Sequence, residues 1–239
     1  MPSYVIVWEN NTPGHSRVPG RSWPGHSSVH IGDGFWDKPS SMAAMNYVSF
    51  WPKEDADFSL KGIVKAKPQA ADLNMTVMDD VDSEQGYLPD HIIRLPSGEE
   101  AENKMKAEFA NIIRSNNGKP EYKMLRQNCS TVVSRVLHAG GFYAEKWAIN
   151  NNVVWTPSDV QRLAASIPGG QNVKWTDFVA MIKRETGDDN PFGTNTLARS
   201  GCYCTTGAPV EFQSGERFTG ADGEFKGPSA NSAYRPQSP

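Results

Sequence analysis

His26-Ser27-Ser28-Val29-His30-Ile31-Gly32-Asp33-Gly34 and, far downstream, Asn128-Cys129-Ser130-Thr131 are the two stretches on which the reading of this chain turns. The first alternates polar and apolar side chains and runs into Gly-Asp-Gly, the pattern of a strand ending in a hairpin-type turn. On such a strand His26, Ser28 and His30 share one face, and Ser27, Val29 and Ile31 share the other. After the second stretch, Val132, Val133, Val136 and Leu137 recur at helical spacing and Gly140-Gly141 closes the run, so Cys129 falls in the first turn of a helix.

Working outward, Tyr4–Trp8 is a β-branched and aromatic run that reads as a buried strand. The loop after it repeats Pro-Gly-His-Ser at 13–16 and 24–27, too closely for a structural repeat. Further strands are expected at 47–51, near 60–66, at 91–95 and around 122–125, with a solvated acidic loop at 79–84. Ser97 is the expected N-cap of an amphipathic helix, with Glu100 at the capping-box position, Ala101, Met105, Phe109, Ile112 and Ile113 facing inward, and Gly118 beyond its end. Thr156-Pro157-Ser158-Asp159 opens another helix, with Val160, Leu163, Ala164 and Ile167 inward, and Thr176-Asp177 a last one ending near Gly187. Beyond that, Gly, Ser, Thr, Asn and Pro dominate, a composition unable to bury much apolar surface. The expected organisation is an α+β domain over 1–187, with a small antiparallel sheet packed on helices, and a loosely ordered tail over 188–239.

Composition narrows the function. Lys and Arg number 24 against 27 Asp and Glu, a net charge of -3, which offers polyanions such as nucleic acid no general attraction. Three cysteines, at 129, 202 and 204, do not make a disulfide framework. No apolar run approaches the roughly 18 residues that span a bilayer. The N-terminus has no secretory signal pattern, so export, if it occurs, is expected to use another machine.

A cysteine at a helix start faces unpaired N–H groups and the positive end of the helix dipole, which favour thiolate. The same N–H groups can receive an oxyanion formed on an attacked carbonyl. The bland alternative is a small buried hydrophobe, the commoner fate of a cysteine. A base is then required, and five histidines compete: His15, His26, His30, His91 and His138. His138 follows Cys129 by about 13 Å of helical rise and reads as a C-terminal helix cation. His15 lies in the Pro/Gly loop and His91 opens a strand, so both default to the surface. His26 and His30 remain, and spacing alone does not choose between them. Asp80-Val81-Asp82-Ser83-Glu84-Gln85-Gly86 places its glycine one position late for a calcium loop, and Cys202-Tyr203-Cys204 lacks zinc-finger spacing. No metal or cofactor is expected. Seven tryptophans could include a sugar-stacking platform, although aromatics are more often core.

The strand His-x-x-apolar-x-apolar-Gly-Asp-Gly, preceding a helix-start Asn-Cys, resembles circularly permuted papain-like enzymes. These are the permuted relatives of NlpC-type cell-wall peptidases and the lecithin:retinol acyltransferase group. The resemblance implies a permuted papain-like fold, Cys129 as nucleophile and His26, at the head of the strand, as base. It also implies a polar residue on the next strand that orients the imidazole, for which Ser49 is the candidate; an ordinary strand serine is the other reading. A likeness to peptidoglycan-targeting effectors of type VI secretion further implies a peptide or amide bond of peptidoglycan as substrate, a secretion-machine carrier, an immunity protein, and action in a target cell's periplasm after synthesis in the bacterial cytoplasm. A lipid acylhydrolase or acyltransferase of the same fold, or a non-catalytic binding module, would account for the same motifs.

Overall fold

Ser3–Trp8 (β1) buries all six of its side chains, which requires cover on both faces of the sheet it belongs to. A computed structural model of the protein describes residues 2–9, 25–32, 46–53, 67–73, 76–84 and 88–187. In it β1 lies between His26–His30 (β2) and His91–Leu95 (β6), both antiparallel to it. Tyr47–Val48 (β3) and Gln171–Asn172 (β8) extend the two sides, giving the order β3-β2-β1-β6-β8. Trp51–Pro52 (β4), Gln69–Asp72 (β5) and Glu121–Tyr122 (β7) form a second, three-stranded sheet.

Strand alternation then sorts the core into two halves. Val5, Val7, Val29, Ile31, Val48, Ile93 and Leu95 turn to one side, where Glu99–Gly118 (α2), Cys129–Ala139 (α3) and Pro157–Ser166 (α5) supply Met105, Phe109, Val132, Val136, Leu163 and their neighbours. Tyr4, Ile6, Trp8, Tyr47 and Ile92 turn to the other, against Val77–Ser83 (α1) and Trp175–Thr186 (α6). The short helix Trp147–Asn150 (α4) lies between α3 and α5 in the chain. The architecture is α+β, with antiparallel sheets and six helices among the described residues.

The departures from expectation have local causes. The helix expected from Ser97 begins at Glu99 with Gly98 as its cap, because the Ser97 hydroxyl is engaged elsewhere. It accepts from the Ser3 N–H and hydroxyl, each at 2.8 Å, and donates to Glu102 at 2.9 Å. The strand expected over 47–51 is split: Tyr47–Val48 pairs in one sheet and Trp51–Pro52 in the other, with Ser49 and Phe50 between. The strand expected at 122–125 stops at Tyr122, where a Lys123–Gln127 bridge closes a turn. The acidic stretch at 79–84 is mostly helix, not loop. The expected strand near 60–66, the Pro/Gly loop with His15, and the tail over 188–239 with Cys202 and Cys204 lie outside the described residues. No helix among the described residues is long and apolar enough to cross a membrane.

Gly32 ends β2 with φ of +63°, and a Cβ built there would lie 2.2 Å from the Glu102 carboxylate. Both the left-handed backbone and this close approach call for glycine. Gly32→Ala is expected to destabilise the fold by about 1–2 kcal/mol, read as a lowered midpoint in denaturant unfolding at unchanged slope. An unchanged midpoint would mean that the Glu102 carboxylate yields without cost.

Candidate active site

The geometry around Cys129 starts from its neighbour. Asn128 caps α3, accepting from the Thr131 N–H at 2.8 Å and its hydroxyl at 3.0 Å. The other end of the same amide donates to the Met124 and Trp155 carbonyls at 2.8 and 3.0 Å. This tripod fixes the helix N-terminus against two turns, and Cys129 is held at it, 6 % exposed. Its sulfur meets the His26 imidazole and the Ser27 backbone N–H, and the Ser130 hydroxyl at 3.8 Å. Burial pushes the thiol up, but the charge and hydrogen bond of His26 and the Ser27 and Ser130 donors outweigh it and lower its pKa.

His26 is buried at the head of β2, its ring stacked on Trp51 with centroids 4.2 Å apart and 19° between planes. Its Nε2 lies 3.2 Å from the Ser49 hydroxyl and 3.3 Å from Oδ2 of Asp80. Ser49 donates its own proton to Oδ1 of Asp80 at 2.6 Å, so its oxygen is left to accept from Nε2–H. That arrangement commits Nε2 to the carboxylate side and leaves Nδ1 for the thiol. Burial works against a charged imidazole, yet Asp80 and Cys129 prevail and raise His26 to about 10. Asp80 is likewise opposed by burial and, through His26, Ser49 and Tyr47, lowered to about 2.

Asp80 is the residue that the sequence reading misplaced. It was expected in a solvated acidic loop, whereas it is fully buried on α1. Besides Ser49 it accepts from the Tyr47 hydroxyl at 2.5 Å and the Trp51 indole N–H at 2.8 Å. Tyr47 in turn receives the Ser28 hydroxyl at 2.7 Å. Residues 47, 49 and 51 therefore aim three donors at one carboxylate, as their shared strand face would allow. A signal for this helix exists in the sequence. Thr76 and Asp79 exchange side-chain-to-backbone bonds at 2.9 and 3.2 Å, a capping pair, and Val77, Asp80, Val81 and Glu84 form one buried face.

Of the expected residues, Cys129 and His26 are brought together and Ser49 lies beside them, between the imidazole and Asp80. His30 is buried further along β2 near Tyr47, ring centroids 6.4 Å apart. His91 lies 3.7 Å from Glu9, partly exposed. His138, expected as a helix-end cation, is stacked on Tyr143 at 4.6 Å and edge-on to Trp155, and burial lowers its pKa. Tyr122 was missed altogether. Its buried phenol accepts from the Cys129 backbone N–H and meets the thiol; burial and the Cys129 sulfur raise its pKa against the lowering effect of that N–H. Among the described residues no group of three or more His, Cys, Asp or Glu is placed to hold a metal ion.

Residues 100–179 match the family model of the IcsB middle domain. The matched stretch is about a third of the chain and contains Cys129 and Tyr122 but neither His26, Ser49 nor Asp80. No curated protein and no solved structure matches the chain.

Proposed function

We propose that the protein is a cysteine hydrolase in which Cys129 is the nucleophile, His26 the acid and base, and Asp80, bridged by Ser49, the group that holds the imidazole. The observation that carries this reading is the unbroken buried line from the Cys129 sulfur through His26 to Asp80. A lone buried thiol would have its pKa raised; this one is lowered. The chemistry follows from the line. The thiolate attacks an amide or ester carbonyl, the C–N or C–O bond breaks as His26 protonates the leaving group, and an acyl-enzyme remains. Water then attacks the acyl carbon, giving its proton to His26; the C–S bond breaks, the carboxylic acid leaves, and the thiolate–imidazolium pair is restored.

The oxyanion formed in each half would be met by the Cys129 N–H, which in the resting site donates to the Tyr122 hydroxyl, and by that hydroxyl itself. Tyr122→Phe is expected to lower kcat about tenfold to a hundredfold with KM little changed, as loss of one oxyanion donor does. An equal fall spread onto KM would make Tyr122 a substrate-binding group instead.

The antiparallel strand order, the histidine before the cysteine, and the position of the thiol at a helix start support a circularly permuted papain-like fold. The substrate class we favour is a peptide or amide bond of peptidoglycan, in keeping with the resemblance to type VI cell-wall effectors such as TseH. The partial similarity to an effector domain fits a secreted protein, made in the bacterial cytoplasm and acting in the periplasm of a target cell, with an immunity protein guarding the producer. Digestion of purified sacculi, with mass analysis of the products, tests this. New termini in the stem peptides are expected; intact sacculi together with fatty acid released from phospholipid would replace the peptidase reading with an acylhydrolase one.

A further inference from the structure

Among the described residues, four of the five large apolar side chains left in solvent, all but Leu125, follow α3 in the stretch 143–154. Tyr143 is 53 % exposed, Trp147 76 % and Val153 95 %. All three belong to the loop of residues 143–155, which is closed at its base: Tyr143 stacks on His138, and Trp155 packs edge-on to the same ring. Inside the loop, Asn150 ties down both the N–H and the carbonyl of Ala144, at 2.8 and 2.7 Å, and Asn151 donates to the Trp147 carbonyl at 2.9 Å. The exposed indole thus stands on a backbone pinned by side-chain amides. The Trp155 carbonyl also holds the Asn128 cap, so the loop is anchored to the N-terminus that carries Cys129.

Three properties of this loop limit what it can hold. Its two charges, Glu145 and Lys146, cancel, so it offers no steering toward an anionic bilayer or a nucleic acid. Its tip carries consecutive amides, Asn150, Asn151 and Asn152, costly to immerse in hydrocarbon. Its Trp147 indole is largely open to solvent. An uncharged pyranose ring fits all three, because its axial C–H bonds meet the negative face of an indole while its hydroxyl and acetamido edges need amide partners.

We infer that the 143–155 loop is a glycan-binding subsite, with Trp147 as the stacking platform for an N-acetylated hexosamine and Asn151 and Asn152 as its polar contacts. The inference deepens the peptidoglycan reading and rests on it for the identity of the polymer: the loop would seat the glycan strand while the attached peptide reaches Cys129.

The test uses the full chain carrying Cys129→Ala, so that binding is read without turnover, against the N-acetylglucosamine tetramer and purified sacculi. Trp147→Ala, with its circular dichroism and melting checked, is expected to weaken binding to both about tenfold, and Trp147→Tyr to restore most of it. Equal binding by Trp147→Ala, or no binding of either probe by the parent, overturns the assignment. So does Trp147-dependent binding to phosphatidylglycerol vesicles with none to the tetramer, which would make the loop a membrane contact. Should the chain with intact Cys129 release no peptides while the tetramer still binds through Trp147, the cleavage reading fails and the subsite stands.

Discussion

Cys129→Ala is expected to abolish turnover, His26→Ala to lower it by about a thousandfold, and the double variant to be no worse than Cys129→Ala alone. Non-additivity is the informative part, because a base with no thiol to activate has nothing left to lose. His30→Ala provides the contrast. His30 shares a strand face with His26, but side chains four residues apart on a strand are separated by about 13 Å, too far for both to reach one sulfur. Its loss should appear as lowered thermal stability from a buried vacancy, with kcat near that of the parent once folding is verified. A dead His30→Ala beside a working His26→Ala would place the base at the wrong histidine.

Asp80→Asn should be nearly as damaging as loss of the base, costing about a thousandfold in kcat/KM, and it should also reshape the pH profile. In the parent the productive thiolate–imidazolium pair exists between the lowered pKa of Cys129 and the value of about 10 at which His26 is held. Activity therefore rises on the acid side as Cys129 ionises and falls on the alkaline side as His26 loses its proton. Removing the Asp80 charge removes the main support of the imidazolium. The alkaline limb moves to lower pH, and the window narrows from that side. Superimposable profiles for parent and variant would reduce Asp80 to a packing residue.

The same shifts act on stability, with opposite signs in pH. His26 sits above its ordinary value of 6.5, so its contribution is full below that value and fades as pH climbs through about 10. Asp80 sits below its ordinary 3.8, so its contribution is present above that value and is lost as pH falls toward about 2. Asp80→Ala would further strand the Tyr47, Ser49 and Trp51 donors in the interior and cost about 3 kcal/mol, whereas the asparagine variant keeps an oxygen to receive some of them.

What could be read from the chain alone was what local pattern encodes. The helix-start position of Cys129 follows from the spacing of Val132, Val133, Val136 and Leu137, and the placement of His26 at a strand head from the run into Gly32. The shared face of Tyr47, Ser49 and Trp51 was also legible, but not what it faced. Asp79, Asp80, Asp82 and Glu84 look alike as a string of carboxylates, and only the packing of α1 against the sheet decides that Asp80 turns inward. Tyr122 was hidden for a related reason. Its contact with Cys129 depends on how β7 lies against the start of α3, a tertiary relation that neither periodicity nor turn chemistry records.

Positions 26, 80 and 129 belong to a strand and two helices that meet only when distant parts of the chain have docked. Bringing them together closes long loops, so this arrangement is expected to form late in folding. Before that point Cys129 has neither its imidazole partner nor its capped helix end, and its sulfur should behave as an ordinary thiol. The reactivity of one cysteine toward an alkylating agent at neutral pH is thus a clock for the last stage of assembly, lagging the appearance of helical signal during refolding.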